Sequence, residues 1–198
     1  LKHGALEDVK LRSELLDGMD ETTGRLQRLL DELAALHEQV LGTLELNRQV
    51  VNLSQWLPAL LAPYRESSLQ KGLEWELFVQ PGIPELRIDP DRIAQAVHNL
   101  VLNAIQFTPP GKKVSILAER RENQVAIVVK DQGLGIPAEE RDLIWKPFYR
   151  GSNKGRFPQG MGLGLGIARE AIEAHDGSIG LDCPETGGCE FTISLPIT

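Results

Sequence analysis

The chain has 198 residues, of which 41% are hydrophobic, 25% charged and 5% aromatic. That composition excludes a disordered or collagen-like chain and is enough to bury a core without disulfide or metal staples. With 21 Lys+Arg against 28 Asp+Glu the formal charge is −7, which argues against non-specific nucleic-acid binding, so no nucleic acid is expected as a partner. No apolar run approaches the roughly 18 residues of a membrane span, so no membrane contact is expected of these residues. Leu1 is not an initiator Met and no basic-then-apolar leader follows it, as expected of a piece of a longer protein.

The first 48 residues read as a unit of their own. Residues 1–8 carry Gly4 and read as a turn, the tip of a helical hairpin. Leu15, Met19, Thr22, Leu26, Leu29, Leu33, Leu36 and Val40 then recur in alternating steps of four and three, a heptad seam. The expectation is a long coiled-coil-like helix over residues 9–46. A single helix cannot bury such a seam and needs partner helices from an antiparallel neighbour, a second chain or both; a homodimer through it is expected. Residues 49–198 form the second expected domain. Val50-Val51 reads as a short strand, residues 53–69 as an amphipathic helix with Pro58 near its start, and residues 73–79 as an alternating strand. Residues 86–88 make another short strand. Asp89-Pro90 is a helix start, with Asp as N-cap and Pro at the first helical position. That helix is expected to end at about Phe107, before Pro109-Pro110-Gly111. Strands over 114–120 and 124–131, a helix over about 163–175 and strands over 178–182 and 189–195 complete the chain. The fold class is α+β: a two-layer sandwich with a mixed sheet covered by helices on one face. Cys183 and Cys189 are expected as a reduced pair. The Pro184–Gly188 stretch between them also reads as a hairpin turn that could set the thiols across from each other for a disulfide.

Four features carry chemistry. The helix after Asp89 has an apolar face of Ile93, Val97, Leu100, Val101, Ala104 and Ile105, and a second stripe of Gln95, Asn99, Asn103 and Gln106. Stacked amides are either a solvated face or a set of oxygen ligands suited to Mg²⁺, which takes few protein groups and keeps phosphates and waters. Next, Asp131-Gln-Gly133-Leu-Gly135-Ile136 follows an apolar strand, so a carboxylate meets backbone that can approach a ligand closely. Third, Gly160-Met161-Gly162-Leu163-Gly164-Leu165-Gly166 opens a helix and offers backbone N–H groups to an anion. It follows a polar loop and lacks the Lys-Ser/Thr ending, so it matches neither the dinucleotide fingerprint nor a P-loop. Last, residues 143–169 hold Lys146, Arg150, Lys154, Arg156 and Arg169 and no acid, a local anion site inside an acidic chain. Residues 150–161 read as a mobile lid over it.

In this order and spacing, Asn99-Leu-Val-Leu-Asn103-Ala104, Asp131-x-Gly133-x-Gly135-Ile136, Pro147-Phe148-Tyr149-Arg150-Gly151 and Gly160-x-Gly162-Leu163-Gly164-Leu165 resemble the N, G1, F and G2 boxes of sensor histidine kinases. These belong with gyrase, the large chaperone ATPases and the mismatch-repair ATPases. The resemblance spans about residues 50–198, and residues 1–48 look like the loop and second helix of that family's dimerisation domain. It implies an ATP site. Asn103, assisted by Asn99, would ligate Mg²⁺, with Gln106 and Phe107 beside them. Asp131 would accept from the adenine amino group, with Gly133, Gly135 and Ile136 shaping the pocket. Phe148 would anchor the lid, with Tyr149, Arg150, Lys154, Arg156 and Gln159 facing the nucleotide. Gly160, Met161, Gly162, Leu163, Gly164 and Leu165 would form the phosphate-binding helix start. ATP and Mg²⁺ are the implied cofactors and a response-regulator receiver domain the implied partner. The implied location is cytoplasmic, with the full-length protein membrane-anchored in many such kinases.

Two departures matter. Gln106 stands where the family often has Lys, and neither His3 nor His37 sits in the family's phosphoacceptor pattern. The acceptor is expected upstream of Leu1. The hydrolases of the superfamily place Glu four residues before the Mg²⁺-binding Asn as general base, and here that residue is Asn99. This favours transfer of the γ-phosphate to a histidine over hydrolysis. The alternatives are a nucleotide-binding dimeric scaffold and a related Ser/Thr kinase.

Overall fold

The structure, a computed structural model, describes residues 46–151, 161–184 and 187–197, which lie in one compact unit spanning Leu44–Thr198. The heptad seam from Leu15 to Val40, His3 and His37 fall outside the described residues.

After the short strand β1 (Gln49–Val51), helix α1 (Leu53–Gln70) begins at Asn52, whose side chain accepts from the Ser54 N–H at 3.1 Å. Pro58 and Pro63 both lie inside α1, and an interior proline costs about 3 kcal/mol. Leu53, Leu57 and Leu61 share one face and are fully buried. At about 1.5–3 kcal/mol each their burial is comparable to the cost of the two prolines, and the helix runs through. Strands β2 (Glu74–Val79) and β3 (Leu86–Ile88) follow.

Helix α2 (Pro90–Phe107) starts as the sequence predicts: Asp89 Oδ1 accepts from the N–H groups of Asp91 and Arg92 at 3.1 and 3.2 Å. Every residue of its expected apolar face is buried. Strands β4 (Lys113–Arg121) and β5 (Gln124–Asp131) form a hairpin through Glu122-Asn123, and a 3₁₀ turn covers Ala138–Glu140. Helix α3 (Gly164–Glu173) and strands β6 (Ser178–Asp182) and β7 (Glu190–Pro196) close the unit.

Five strands form one sheet in the order β2-β4-β5-β7-β6. β2 runs parallel to β4 and the other neighbours are antiparallel, so the sheet is mixed as expected. A parallel pair needs a crossover; here it is the segment holding β3 and α2. β1 and β3 do not join this sheet but pair with each other, Gln49 opposite Ile88. Alternate residues Val114 and Ile116, Val125, Ile127 and Val129, and Phe191, Ile193 and Leu195 share one core with the buried faces of the three helices. That is the two-layer α+β sandwich.

The two helices that carry the candidate site are tied at their far ends. His175, 2% exposed, accepts from the Asp89 N–H through Nε2 at 2.9 Å and donates from Nδ1 to Ala171 O at 2.6 Å. Asp89 Oδ2 accepts from the Asn47 N–H at 2.9 Å, and Arg48 donates to Ala174 O and Asp176, both at 3.0 Å. His98 packs edge-on against Tyr64 of α1 and shares a hydrogen bond with its hydroxyl. Both histidines thus serve helix packing. Cys183 and Cys189 are joined in a disulfide, with Cα atoms 4.2 Å apart. This corrects the expectation of free thiols. Cys183 follows β6 and Cys189 precedes β7, and the antiparallel pairing of these strands, with Asp182 opposite Glu190, brings the two sulfurs together. No described helix is long and apolar enough to cross a membrane.

Candidate nucleotide-binding site

Asp131 is the last residue of β5 and is half-buried. Its Oδ1 accepts from the Gly133 N–H at 2.7 Å, and its own N–H donates to Cys189 O at 2.9 Å. Burial pushes its carboxyl above the usual aspartate range, against hydrogen bonding from the backbone of Gly133 and Cys189. A Cβ on Gly133 would stand 2.7 Å from both Asp131 Oδ1 and Phe107 O. Only glycine fits, because the turn after β5 lies directly on the C-terminal end of α2. Asp131, Gly133 and Phe107 are thereby brought together. Gly135 and Ile136 continue this wall, with Ile136 O accepting from Arg141 Nε at 3.3 Å.

The amide stripe of α2 is half-buried rather than solvated. Asn99 Nδ2 donates to Gly164 O at 2.9 Å, which fixes the start of α3 against α2. Asn103 lies one turn further along the same face, and Gln106 is in the last turn, near Gly133. Leu163 precedes α3 and, unlike Met161 and Leu165, is fully buried, so it anchors the glycine-rich start. Gly162 has φ +78°, and a Cβ there would lie 2.4 Å from Tyr149 O. Its carbonyl accepts from the Phe148 N–H at 3.0 Å. The Phe148 segment and the glycine-rich start therefore form one backbone junction, although residues 152–160 separate them in sequence. Phe148 itself has φ +64° and is 62% exposed. Tyr149 is half-buried, Arg150 is exposed, and Met161 and Leu165 are half-buried. Lys154, Arg156, Gln159 and Gly160 lie outside the described residues.

Arg169, counted with the anion-site cations from sequence, is engaged elsewhere. Its guanidinium lies 4.2 Å from the centre of the Trp145 ring, and Nε is 3.9 Å from Glu173. As an α3 residue facing Trp145 it braces the 141–149 segment. Three residues escaped sequence reasoning. Lys71, just after α1, donates from Nζ to Ile105 O and, at 2.9 Å, to Gln106 O, placing a cation on the C-terminal carbonyls of α2. Burial lowers its pKa. Arg141 bridges Ile136 O and, at 2.6 Å, Cys183 O. Cys189 supplies the backbone partner of Asp131. None of the three sits in a local motif, so only long-range packing reveals them.

Among the described residues no group of three or more His, Cys, Asp or Glu is placed to hold a metal ion. The donor set here is amide oxygen, which fits a hard cation that keeps most of its shell as water and phosphate.

A family model described as histidine kinase-, DNA gyrase B- and HSP90-like ATPase matches residues 88–198. The sensor protein kinase WalK of Staphylococcus saprophyticus is 30% identical over 199 residues, which cover 99% of this chain and 32% of that protein. WalK of Staphylococcus aureus is 29% identical over 203 residues, 99% of this chain and 48% of the relative. The chain therefore spans about a third to about a half of the length of these relatives. Among solved structures, the Acinetobacter baumannii histidine kinase AdeS superposes with a TM-score of 0.72 at 25% identity, over 96% of this chain and 86% of AdeS. The complex of histidine kinase ThkA with the response regulator protein TrrA gives 0.70 at 26% identity, over 93% of this chain and 52% of that one. The family match covers more than half of the residues and contains the Asp131 turn, the amide helix and the glycine-rich start, so the chain belongs to the histidine kinase-, DNA gyrase B- and HSP90-like ATPases.

Proposed function

We propose that this chain is the ATP-binding catalytic region of a sensor histidine kinase. It would present the γ-phosphate of ATP to a histidine N-terminal to Leu1, for onward transfer to a response-regulator aspartate. The observation that carries the kinase reading is the bond from Asn99 Nδ2 to Gly164 O. Asn99 stands where the hydrolases of this superfamily hold a catalytic Glu. An amide that is donating to a carbonyl cannot take a proton from water. The site is then left to position and stabilise, which is what phosphoryl transfer to an external nucleophile asks of it.

Each residue has a part in that reading. Asp131 accepts from the adenine amino group, since a carboxylate offers only acceptors. Gly133, Gly135 and Ile136 let backbone approach the base. The N–H groups at Gly162, Leu163 and Gly164 face the phosphates at the start of α3, where the helix dipole favours anions. Asn103 would hold Mg²⁺ through its amide oxygen. Bound Mg²⁺ would neutralise charge on the transferring phosphate. Arg150, Lys154 and Arg156 would add cations for the phosphates. The homodimer runs through residues 9–46, the partner is a receiver domain and the location of this region is cytoplasmic. The kinase–regulator complex among the structural relatives supports the partner.

The test is incubation of the full-length protein with ATP labelled at the γ-phosphate. Acid-labile, base-stable label on the protein supports the kinase. Continuous phosphate release without label points to a hydrolase, and binding with neither outcome to a scaffold.

A further inference from the structure

The disulfide lies against the candidate adenine pocket, and its two ends grip that pocket separately. On one side Cys189 O accepts from the Asp131 N–H and Gly188 N–H donates to Gly133 O, both at 2.9 Å. Gly188 is so close that a Cβ there would lie 2.2 Å from Asp131 O. On the other side Cys183 O accepts from Arg141, which also donates to Ile136 O. The cross-link thus closes a clasp around residues 131–136. Cys183 and Cys189 are 4% and 3% exposed. Both cysteines are thus buried beside the backbone contacts that hold Gly188 and Cys189 to Asp131 and Gly133.

We propose that thiol–disulfide exchange at Cys183–Cys189 regulates nucleotide affinity, the oxidised form binding ATP more tightly than the reduced form. The proposal rests on the ATP-binding reading above. Disulfides in the reducing compartment proposed for this chain are characteristically transient and regulatory. The oxidant is a low-molecular-weight disulfide of the glutathione class. One cysteine thiolate attacks it, forming a mixed disulfide and releasing one small thiol. The second cysteine thiolate then attacks the mixed disulfide and releases the other. Two cysteine thiols and one small disulfide become one protein disulfide and two small thiols, so atoms and electrons balance. The cross-link restricts the clasp before the base arrives, so less ordering remains to be done on binding. Coupling of this kind is reciprocal: what the disulfide does for ATP, ATP does for the disulfide.

The experiment is Mg·ATP calorimetry on the oxidised and dithiothreitol-reduced protein, together with equilibration in glutathione redox buffers with and without saturating Mg·ATP. Thiols are counted by alkylation and mass. Reduction is expected to weaken ATP binding at least about fivefold, the low end of site–site coupling. Mg·ATP is expected to shift the thiol–disulfide equilibrium toward the disulfide by the same factor. A Cys183→Ala, Cys189→Ala double variant should lose the response to dithiothreitol; if it fails to fold, the two wild-type forms still decide. Equal affinity in both redox forms, tighter binding after reduction, or two free thiols after treatment with oxidised glutathione would each overturn the inference and leave ATP binding standing. Absence of nucleotide binding in either form would overturn the ATP-binding reading and the inference with it.

Discussion

Asn99 offers the sharpest mutational test, because its amide has a donor end and an acceptor end that can be separated. The donor end is committed to Gly164 O at 2.9 Å. That carbonyl also takes part in the hydrogen-bond ladder of α3, so Asn99→Ala removes a second bond rather than orphaning a group. The loss is about 0.5–1.5 kcal/mol, or roughly two- to tenfold in affinity for a ligand that needs α3 held against α2. Asn99→Asp keeps the size and replaces the donor by an acceptor. Two acceptors then face each other with no proton between them, which costs about 1–3 kcal/mol, or about five- to 160-fold. The aspartate variant is therefore expected to bind Mg·ATP more weakly than the alanine variant. Calorimetric titration at 25 °C measures both, and circular dichroism checks that each is folded. If Asn99→Asp binds Mg·ATP as tightly as wild type, the residue acts through its oxygen on the cation and the clamp on Gly164 is incidental.

Gly162→Ala is expected to lower the melting temperature and weaken Mg·ATP binding. A left-handed alanine costs about 1–2 kcal/mol before its overlap with Tyr149 O is counted. Gly180→Ala, where nothing lies within 4 Å of the added carbon, is expected to change neither in the same scans. Asp131→Asn is expected to raise the melting temperature at pH 7 while weakening ATP binding. Burial raises the folded-state pKa of Asp131, so at neutral pH the charge opposes folding, and the opposition fades as pH falls through that raised pKa. The gain from Asp131→Asn should therefore shrink on acidification. His175 behaves with the other sign. Burial lowers its folded-state pKa below 6.5, so the unfolded chain takes the proton first and stability is lost as pH falls below about 6.5. His175→Gln loses the Asp89 and Ala171 bonds, and thermal unfolding should show its deficit narrowing from pH 7.5 to pH 5.

Local signals in the sequence locate most of the elements. Asp89-Pro90 and Pro109-Pro110 bracket α2 because capping and helix termination are local chemistry. Alternation places β4 and β7, and an unbroken apolar run places β5, for the same reason. Pairing is not local. Nothing in residues 49–51 or 86–88 says that they leave the main sheet and pair with each other, or that β2 lies parallel to β4. The same limit holds at the site. Asp131, Asn99, Asn103 and the glycine-rich start are visible as spaced residue types. The partner of Asn99, the cation of Lys71 on the end of α2 and the grip of Arg141 on Cys183 join residues dozens of positions apart. Arg169 shows the converse error. It belongs to an acid-free run in sequence, yet it spends its charge on Trp145 because the helix turns it that way.

The central claim is that Asp131 reads adenine. The most direct measurement is calorimetric binding of Mg·ATP and Mg·GTP to the wild type and to Asp131→Asn. Guanine shows a carbonyl oxygen where adenine shows its amino group, so a carboxylate facing it leaves two acceptors unpaired, at about 1–3 kcal/mol. ATP is expected to bind the wild type at least roughly tenfold more tightly than GTP, at about 1.4 kcal/mol per tenfold. Asp131→Asn is expected to weaken ATP binding and narrow that gap, because an amide can turn its NH₂ toward the carbonyl. Equal affinity of the wild type for ATP and GTP would contradict the account and leave Asp131 as no more than the end of a strand.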